Sequence, residues 1–204
     1  LFNKVSEKIP VASISDMLLH PGEAYTYKGK THLYPHARLV WWAGGNPFHH
    51  HQDLNRLVRA FQQPETIIVN EISWTGTARH ADIVLPIASA QERWDFGAGQ
   101  SDNVLVPMPA HVPPPDEAWR EYDIYAALAR RLGTEEAFTE GRTALEWTEH
   151  LWDQTVSTAA ENGVSLPDWP TFVAGAPIEL PDPSPEQVFL DGFRADPVAN
   201  PLRT

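Results

Sequence analysis

The sequence predicts an α/β fold: a parallel sheet with covering helices, followed by a proline-rich, extended C-terminal tail. Three observations carry this. "RLVWWAG", "ETIIVNE" and "DIVLPIA" are short apolar runs rich in β-branched and aromatic residues, the signature of buried strands. Helical signals fill the gaps, so strand, helix, strand, turn and strand alternate as in a parallel sheet. From Val164 to Thr204 there are eight prolines and no sustained periodicity, which fits an extended wrap or a linker.

The elements follow in chain order. Residues 1–37 read as a lead-in. "VASISDMLLHPG" is a short helix stopped by Pro21 and Gly22, and "AYTYKGKTHLY" is a small hairpin around Lys28-Gly29-Lys30. Residues 38–163 read as the α/β domain. Its first strand ends in Gly44-Gly45, and a helix begins near Asp53 with Leu54, Leu57, Val58 and Phe61 on one stripe. Pro64 ends that helix. The second strand and a short helical turn, "TGTARHA", lead to the third strand. Residues 94–115 are expected to be a long irregular connection closed by Pro113-Pro114-Pro115. The helix "DEAWREYDIYAALARRLG" follows, with Ile124, Leu128 and Leu132 on one face and Gly133 as its cap. Another starts at Thr143, whose capping box with Glu146 is written as "TALE". Residues 164–204 form the tail.

Bulk properties exclude several classes. The 204 residues suffice for a sizeable core. The formal net charge of −12 argues against a general nucleic-acid binder, which needs a basic face. Zero cysteines exclude disulfides, thiolate zinc sites and iron–sulfur clusters within the chain. No apolar run is long enough to span a bilayer, so no membrane partner is expected. No signal-peptide pattern occurs at the N-terminus, and the compartment is left open between cytoplasmic and periplasmic.

Candidate site residues cluster at the ends of the three strands: Gly44 to Asn46, Asn70-Glu71, and Pro86 to Ala88. Glycines at the carboxyl end of a parallel strand let the backbone approach a ligand, although a glycine pair also simply makes a tight turn. Open α/β sheets bind ligands outside those ends where the strand order reverses, and Glu71 is placed as a ribose-binding carboxylate is in Rossmann-like nucleotide-binding folds. His49, His50 and His51 follow the glycines. His49 and His51 would share a side if extended, and His80 and Asp82 could add ligands. A closed metal site, however, needs three or four ligands at a recognised spacing, so the metal expectation is none. Arg93 follows the third strand, and Asp123 sits in the amphipathic helix. For both, a solvated surface charge is the ordinary reading. No catalytic triad, P-loop or serine elbow is present, so no catalytic residue is expected.

"LVWWAGGNPFHHHQDLNRL" and "TIIVNEISWTGTARHADIVLPIASAQER" closely resemble the molybdopterin oxidoreductases of the dimethyl sulfoxide reductase superfamily. The nearest likeness is to the branch of trimethylamine N-oxide, dimethyl sulfoxide and biotin sulfoxide reductases. "GNPFHHHQD" and "TARHADIVLP" are long, unusual strings, and "IPVASISDMLLHPG", "VPPPDEAWREYDIYAALARRLG" and "FRADPVANPL" extend the likeness over essentially the whole chain. Such reductases are several times longer and hold molybdenum between two molybdopterin guanine dinucleotides. In this branch the serine that ligates molybdenum belongs to an earlier segment, and a C-terminal domain completes the pterin cavity. The resemblance therefore implies an internal domain that holds the guanosine end of one dinucleotide. Its partners would be the cofactor and the remaining domains of the same polypeptide, and it would be inactive alone.

Carried over by position, the resemblance makes Gly44, Gly45 and Asn46 the turn that admits the diphosphate. His50 and Gln52 would contact the nucleotide, Asn70 and Glu71 the guanosine sugar, and Arg93 the nucleotide end. Asp123 would accept hydrogen bonds from guanine N1 and the 2-amino group. "NEISWTG" is less aromatic than the family version, which leaves the sugar contact resting more on Glu71 than on Asn70. Two rival classes remain at this level: a stand-alone nucleotide-binding module, and a histidine-based metal carrier.

Overall fold

The computed structural model describes residues 8–99, 102–181 and 189–201. Two stretches of the expected tail, 182–188 and 202–204, and the first seven residues of the lead-in lie outside the described residues. The chain divides into two compact units, Leu1–Leu85 with Glu186–Thr204, and Pro86–Pro185.

In the first unit, α1 (Ile14–Leu19) precedes a hairpin of β1 (Ala24–Tyr27) and β2 (Lys30–Leu33), paired Ala24↔Leu33 to Tyr27↔Lys30. Its two loop residues, Lys28 and Gly29, both have positive φ (50° and 73°), the backbone that a tight two-residue hairpin with matching twist requires. Strand β3 (Leu39–Ala43) leads to a single helical turn, α2 (Pro47–His50), and then to α3 (Leu54–Phe61). The Asp53 carboxylate caps α3 by accepting from Arg56 N at 3.0 Å. Strand β4 (Thr66–Glu71) runs parallel to β3 in the register Leu39↔Thr66 through Ala43↔Asn70. With β5 (Ile83–Pro86) they form a three-stranded sheet in the order β3-β4-β5. This mixed α/β organisation agrees with the sequence. The strand order, however, runs straight, so among the described strands there is no reversal of the kind expected to mark a ligand site.

The first core joins Leu57, Ala60 and Phe61 of α3 to Ile67 and Val69 of β4 and Leu18 of α1. The expected α3 stripe is rotated slightly: Ala60 is buried and Leu54 exposed. The lead-in helix shares this core, and Arg56 bonds Asp16 across the two helices.

The second unit corrects two expectations. Residues 94–115 are not irregular throughout: β6 (Asp95–Ala98) and β7 (Val104–Met108) form an antiparallel pair. Glycines and prolines disguise them, yet Pro107 lies beyond the two β7 residues that a third strand pairs with, so its missing N–H is not needed there. After β7 come α4 (Glu121–Arg131), α5 (Glu135–Thr139) and α6 (Ala144–Glu161), the last opened by the expected Thr143–Glu146 capping box. Backbone and hydroxyl hydrogen bonds from Thr143 hold the Glu146 carboxyl below its usual range. The second correction concerns the tail. It folds back as α7 (Trp169–Val173) and β8 (Ile178–Glu179), with β8 pairing to Val104 and Leu105 of β7. Trp169 and Phe172 close a core with Leu105 and Trp152. Tryptophan and phenylalanine spaced by three, not hydrophobic periodicity, are what seat this stretch. Helix α8 (Asp191–Ala195) belongs to the first unit.

The stripe expected on α4 does not face a core. Leu132 is 67% exposed and Leu128 is also exposed, while Ala129 is buried. The helix is held instead by Tyr122, which stacks on Phe138 and donates its hydroxyl to the Arg142 carbonyl. Gly133 sits in the left-handed region just past the helix end, as expected. Among the described residues no helix is long and apolar enough to cross a membrane.

Candidate functional site

The parallel β3–β4 register puts Ala43 beside Asn70, so the Gly44–Asn46 turn and Glu71 leave the sheet at the same edge. Gly44 and Gly45 take φ of 76° and 74°, a conformation that a side chain resists. No atom lies within 4 Å of a Cβ built on Gly44, whereas one on Gly45 would meet His50 Nε2 at 3.8 Å. His50 therefore lies over the turn. The glycine at 44 is needed for backbone conformation rather than for space.

The loop that follows β3 is clamped to the one that follows β4. Asn46 Oδ1 accepts from the backbone N–H of Thr77 at 3.3 Å and from the Thr77 hydroxyl, and Phe48 N donates to that hydroxyl at 3.4 Å. Phe48 also stacks on His80 with centroids 3.9 Å apart. A Cβ on Gly76 would meet Phe48 Cβ at 3.0 Å, so the glycine allows this close approach. Thr77 was missed in the sequence, where "TGTARHA" gave only a helical turn.

The expected site residues in this unit differ in what they offer. Asn70 is 3% exposed and its Oδ1 accepts from Trp41 Nε1 at 2.9 Å. Glu71 uses its two oxygens within its own turn, accepting from Ile72 N and from Thr75 Oγ1, each at 2.9 Å. Gln52 is exposed and makes no hydrogen bond among the described residues.

The histidines are not extended. His49 and His50 lie in α2, which removes the expected alignment of His49 with His51. Burial, with the His50 charge second, pulls the His51 pKa down. Its Nε2 is buried without a hydrogen-bond partner among the described residues. His80 Nδ1 is bonded to the Gly76 carbonyl at 2.7 Å, and Asp82 accepts from Ile67 N at 2.8 Å. Both belong to the scaffold. Among the described residues no three His, Cys, Asp or Glu side chains are grouped to hold a metal.

In the second unit Trp119 pairs through its backbone with Pro86 and Ala88, donating to Pro86 O at 3.1 Å and accepting from Ala88 N at 2.9 Å. This fixes the start of α4 beside residues 86–88. The resulting cleft, about 590 Å³, is lined by Trp119, Arg120 and Asp123 with Glu92, Pro115 and Asp116. Trp119 is 53% exposed. Asp123 Oδ2 accepts from Arg120 Nε at 2.7 Å, and its Oδ1 has no partner among the described residues. Arg93 lies in a neighbouring cavity of about 270 Å³, ion-paired with Asp95. Arg120 lines both hollows. Neither Trp119 nor Arg120 was singled out in the sequence. "AWREYD" holds both just ahead of Asp123, and a flat ring four positions before a carboxylate was the available signal.

The first unit thus gathers its loops at the carboxyl edge of a parallel sheet, and the second holds a separate cleft of aromatic and carboxylate side chains. A family model for molybdopterin oxidoreductases matches residues 16–131, and the chain belongs to that family. It is 47% identical to a trimethylamine-N-oxide reductase of Haemophilus influenzae, over 96% of this chain and 24% of the relative. It is 43% identical to a biotin sulfoxide reductase of Cereibacter sphaeroides over 100% of this chain and 27% of that protein. A dimethyl sulfoxide/trimethylamine N-oxide reductase of Rhodobacter capsulatus is 41% identical over 96% and 24%. The chain thus spans about a quarter of the length of these relatives. Among solved structures, acetylene hydratase from Pelobacter acetylenicus superposes with a TM-score of 0.53 at 20% identity, over 73% of this chain and 19% of that one. That likeness speaks to the fold alone.

Proposed function

We propose that this chain, chiefly residues 38–163, is the Rossmann-like part of a molybdenum-dependent S- or N-oxide reductase that binds the guanosine end of one molybdopterin guanine dinucleotide. Bound molybdenum would supply the two-electron removal of an oxygen atom, as from sulfoxide to sulfide. The residues of this chain would bind and orient the nucleotide that carries it.

The observation that carries this reading is the cleft of Trp119 and Asp123. Guanine offers a flat ring and two adjacent N–H donors. The cleft offers a half-exposed tryptophan and a carboxylate with an open oxygen, so its residues fit the base. An adenine would turn a ring acceptor toward the same carboxylate. At the sheet edge, Gly44 to Asn46 would border the diphosphate with His50 and Gln52 alongside, and Glu71 would take the sugar with Asn70 behind it. Arg93 would neutralise the nucleotide end from the adjoining cavity. The remaining domains of the polypeptide would complete the cofactor cage.

The test is the Asp123→Asn variant of the full-length polypeptide. Charge-assisted hydrogen bonds contribute roughly 1.5–3 kcal/mol each, so guanine content per purified molecule should fall about tenfold or more under dilution. Unchanged guanine and molybdenum contents would defeat the reading.

A further inference from the structure

We propose that Thr77 is a positioning residue that sets the polarity of the strand-end loop, turning the Asn46 amide so that it presents N–H donors to an anionic group. This rests on the reading of the Gly44–Asn46 turn as the diphosphate border, and it assigns a role to a residue outside that turn.

The argument is one of donor and acceptor identity. An asparagine amide can be flipped by exchanging its oxygen and nitrogen, and the surrounding hydrogen bonds decide which way it lies. Here the decision is forced. A backbone N–H can only donate, so the atom of Asn46 that faces Thr77 N at 3.3 Å must be the oxygen. The Thr77 hydroxyl already accepts from Phe48 N at 3.4 Å, so its own proton also goes to Asn46 Oδ1. The relay runs one way, from the Phe48 N–H through the Thr77 hydroxyl to Asn46 oxygen, and each bond polarises the next. With Oδ1 doubly engaged, Nδ2 is turned away from Thr77, and it has no partner among the described residues. Two donor hydrogens therefore stand beside the two glycines of left-handed φ. Thr77 itself is fully buried and touches no ligand in this scheme. It acts through Asn46.

Three variants of the full-length polypeptide test this, read by guanine content after dilution and by melting temperature. Asn46→Asp keeps an acceptor toward Thr77 and replaces the outward donors with a second carboxylate oxygen. Thr77→Val removes the relay, and Thr77→Ser restores it. The expected result is guanine retention lowered about tenfold or more in Asn46→Asp at an unchanged melting temperature. Retention should fall about three- to tenfold in Thr77→Val and be near wild type in Thr77→Ser. Wild-type retention in Asn46→Asp would overturn the assignment of the turn to the diphosphate, and this inference with it. Depletion in Asn46→Asp with wild-type retention in Thr77→Val would overturn the role of Thr77 alone. Equal depletion in Thr77→Val and Thr77→Ser would also overturn it, because packing rather than the hydroxyl would then be at work.

Discussion

The indole of Trp41 reaches from β3 across to Asn70 on β4 and donates a 2.9 Å hydrogen bond to its side-chain oxygen. The amide lies almost wholly out of water, so this contact ties the two strands together at the edge where the candidate site begins. Trp41→Phe keeps an aromatic ring and loses the donor. Urea unfolding should show a loss of about 1–2 kcal/mol, the usual consequence of withdrawing one partner from a buried polar atom. A midpoint equal to wild type would mean that the bond adds nothing to strand pairing.

Gly44 and Gly76 are glycines for different reasons, and alanine should separate them. At Gly44 there is open space but a left-handed backbone, so Gly44→Ala should cost about 1–2 kcal/mol from backbone strain alone. Gly44→Asn should cost less. At Gly76 a methyl would press on Phe48 Cβ, so Gly76→Ala should also disturb the Phe48–His80 stack. Chemical shifts of the His80 ring report that difference. They should move in Gly76→Ala and stay in Gly44→Ala.

His51 should make the first unit acid-sensitive. Burial, and then the His50 charge, lower its folded pKa below the ordinary imidazole value of 6.5. In the window below about pH 6.5 the unfolded chain therefore takes up a proton that the folded chain refuses. Its contribution is complete above that window and declines as the pH falls through it toward the folded pKa. Denaturant midpoints measured from pH 7.5 to 5.5 should fall more steeply for wild type than for His51→Gln. Parallel profiles would show that His51 does not titrate differently on folding.

Trp152 anchors the second unit. It is fully buried, stacks on Phe172 with centroids 3.8 Å apart and donates from Nε1 to Pro167 O at 3.0 Å. Trp152→Ala should destabilise by about 3–5 kcal/mol, the range for emptying a buried aromatic site. Differential scanning calorimetry gives the change, and a loss under 1 kcal/mol would show that the site collapses without penalty.

Much of this was legible in the residues. Strands, caps and the hairpin were written locally: Lys28-Gly29 demanded a tight turn, and Thr143 with Glu146 demanded a helix start. The strand ends named the sheet edge, because each apolar run stops at glycine or polar residues, Gly44-Gly45 and Asn70-Glu71. What could not be read depended on distant partners. β6 and β7 carry too many glycines and prolines for a period-two pattern, and β7 gains its second neighbour only from β8. Ile124, Leu128 and Leu132 spelled a stripe, but a stripe does not say what covers it. Thr77 was invisible for the same reason, since its meaning lies in Asn46, 31 positions away.

The late strand β8 also orders events during synthesis. Leu180 N bonds Asn103 O at 2.6 Å, and the Asn103 side chain returns a bond to Leu180 O from 77 positions away. Until residue 180 has left the ribosome, β7 has one neighbour and Leu105 lacks the cover of Trp169 and Phe172. At roughly 5–20 residues per second the nascent β6–β7 pair waits about 4–15 s with an open edge. That interval is when a chaperone or a neighbouring nascent chain has access to it.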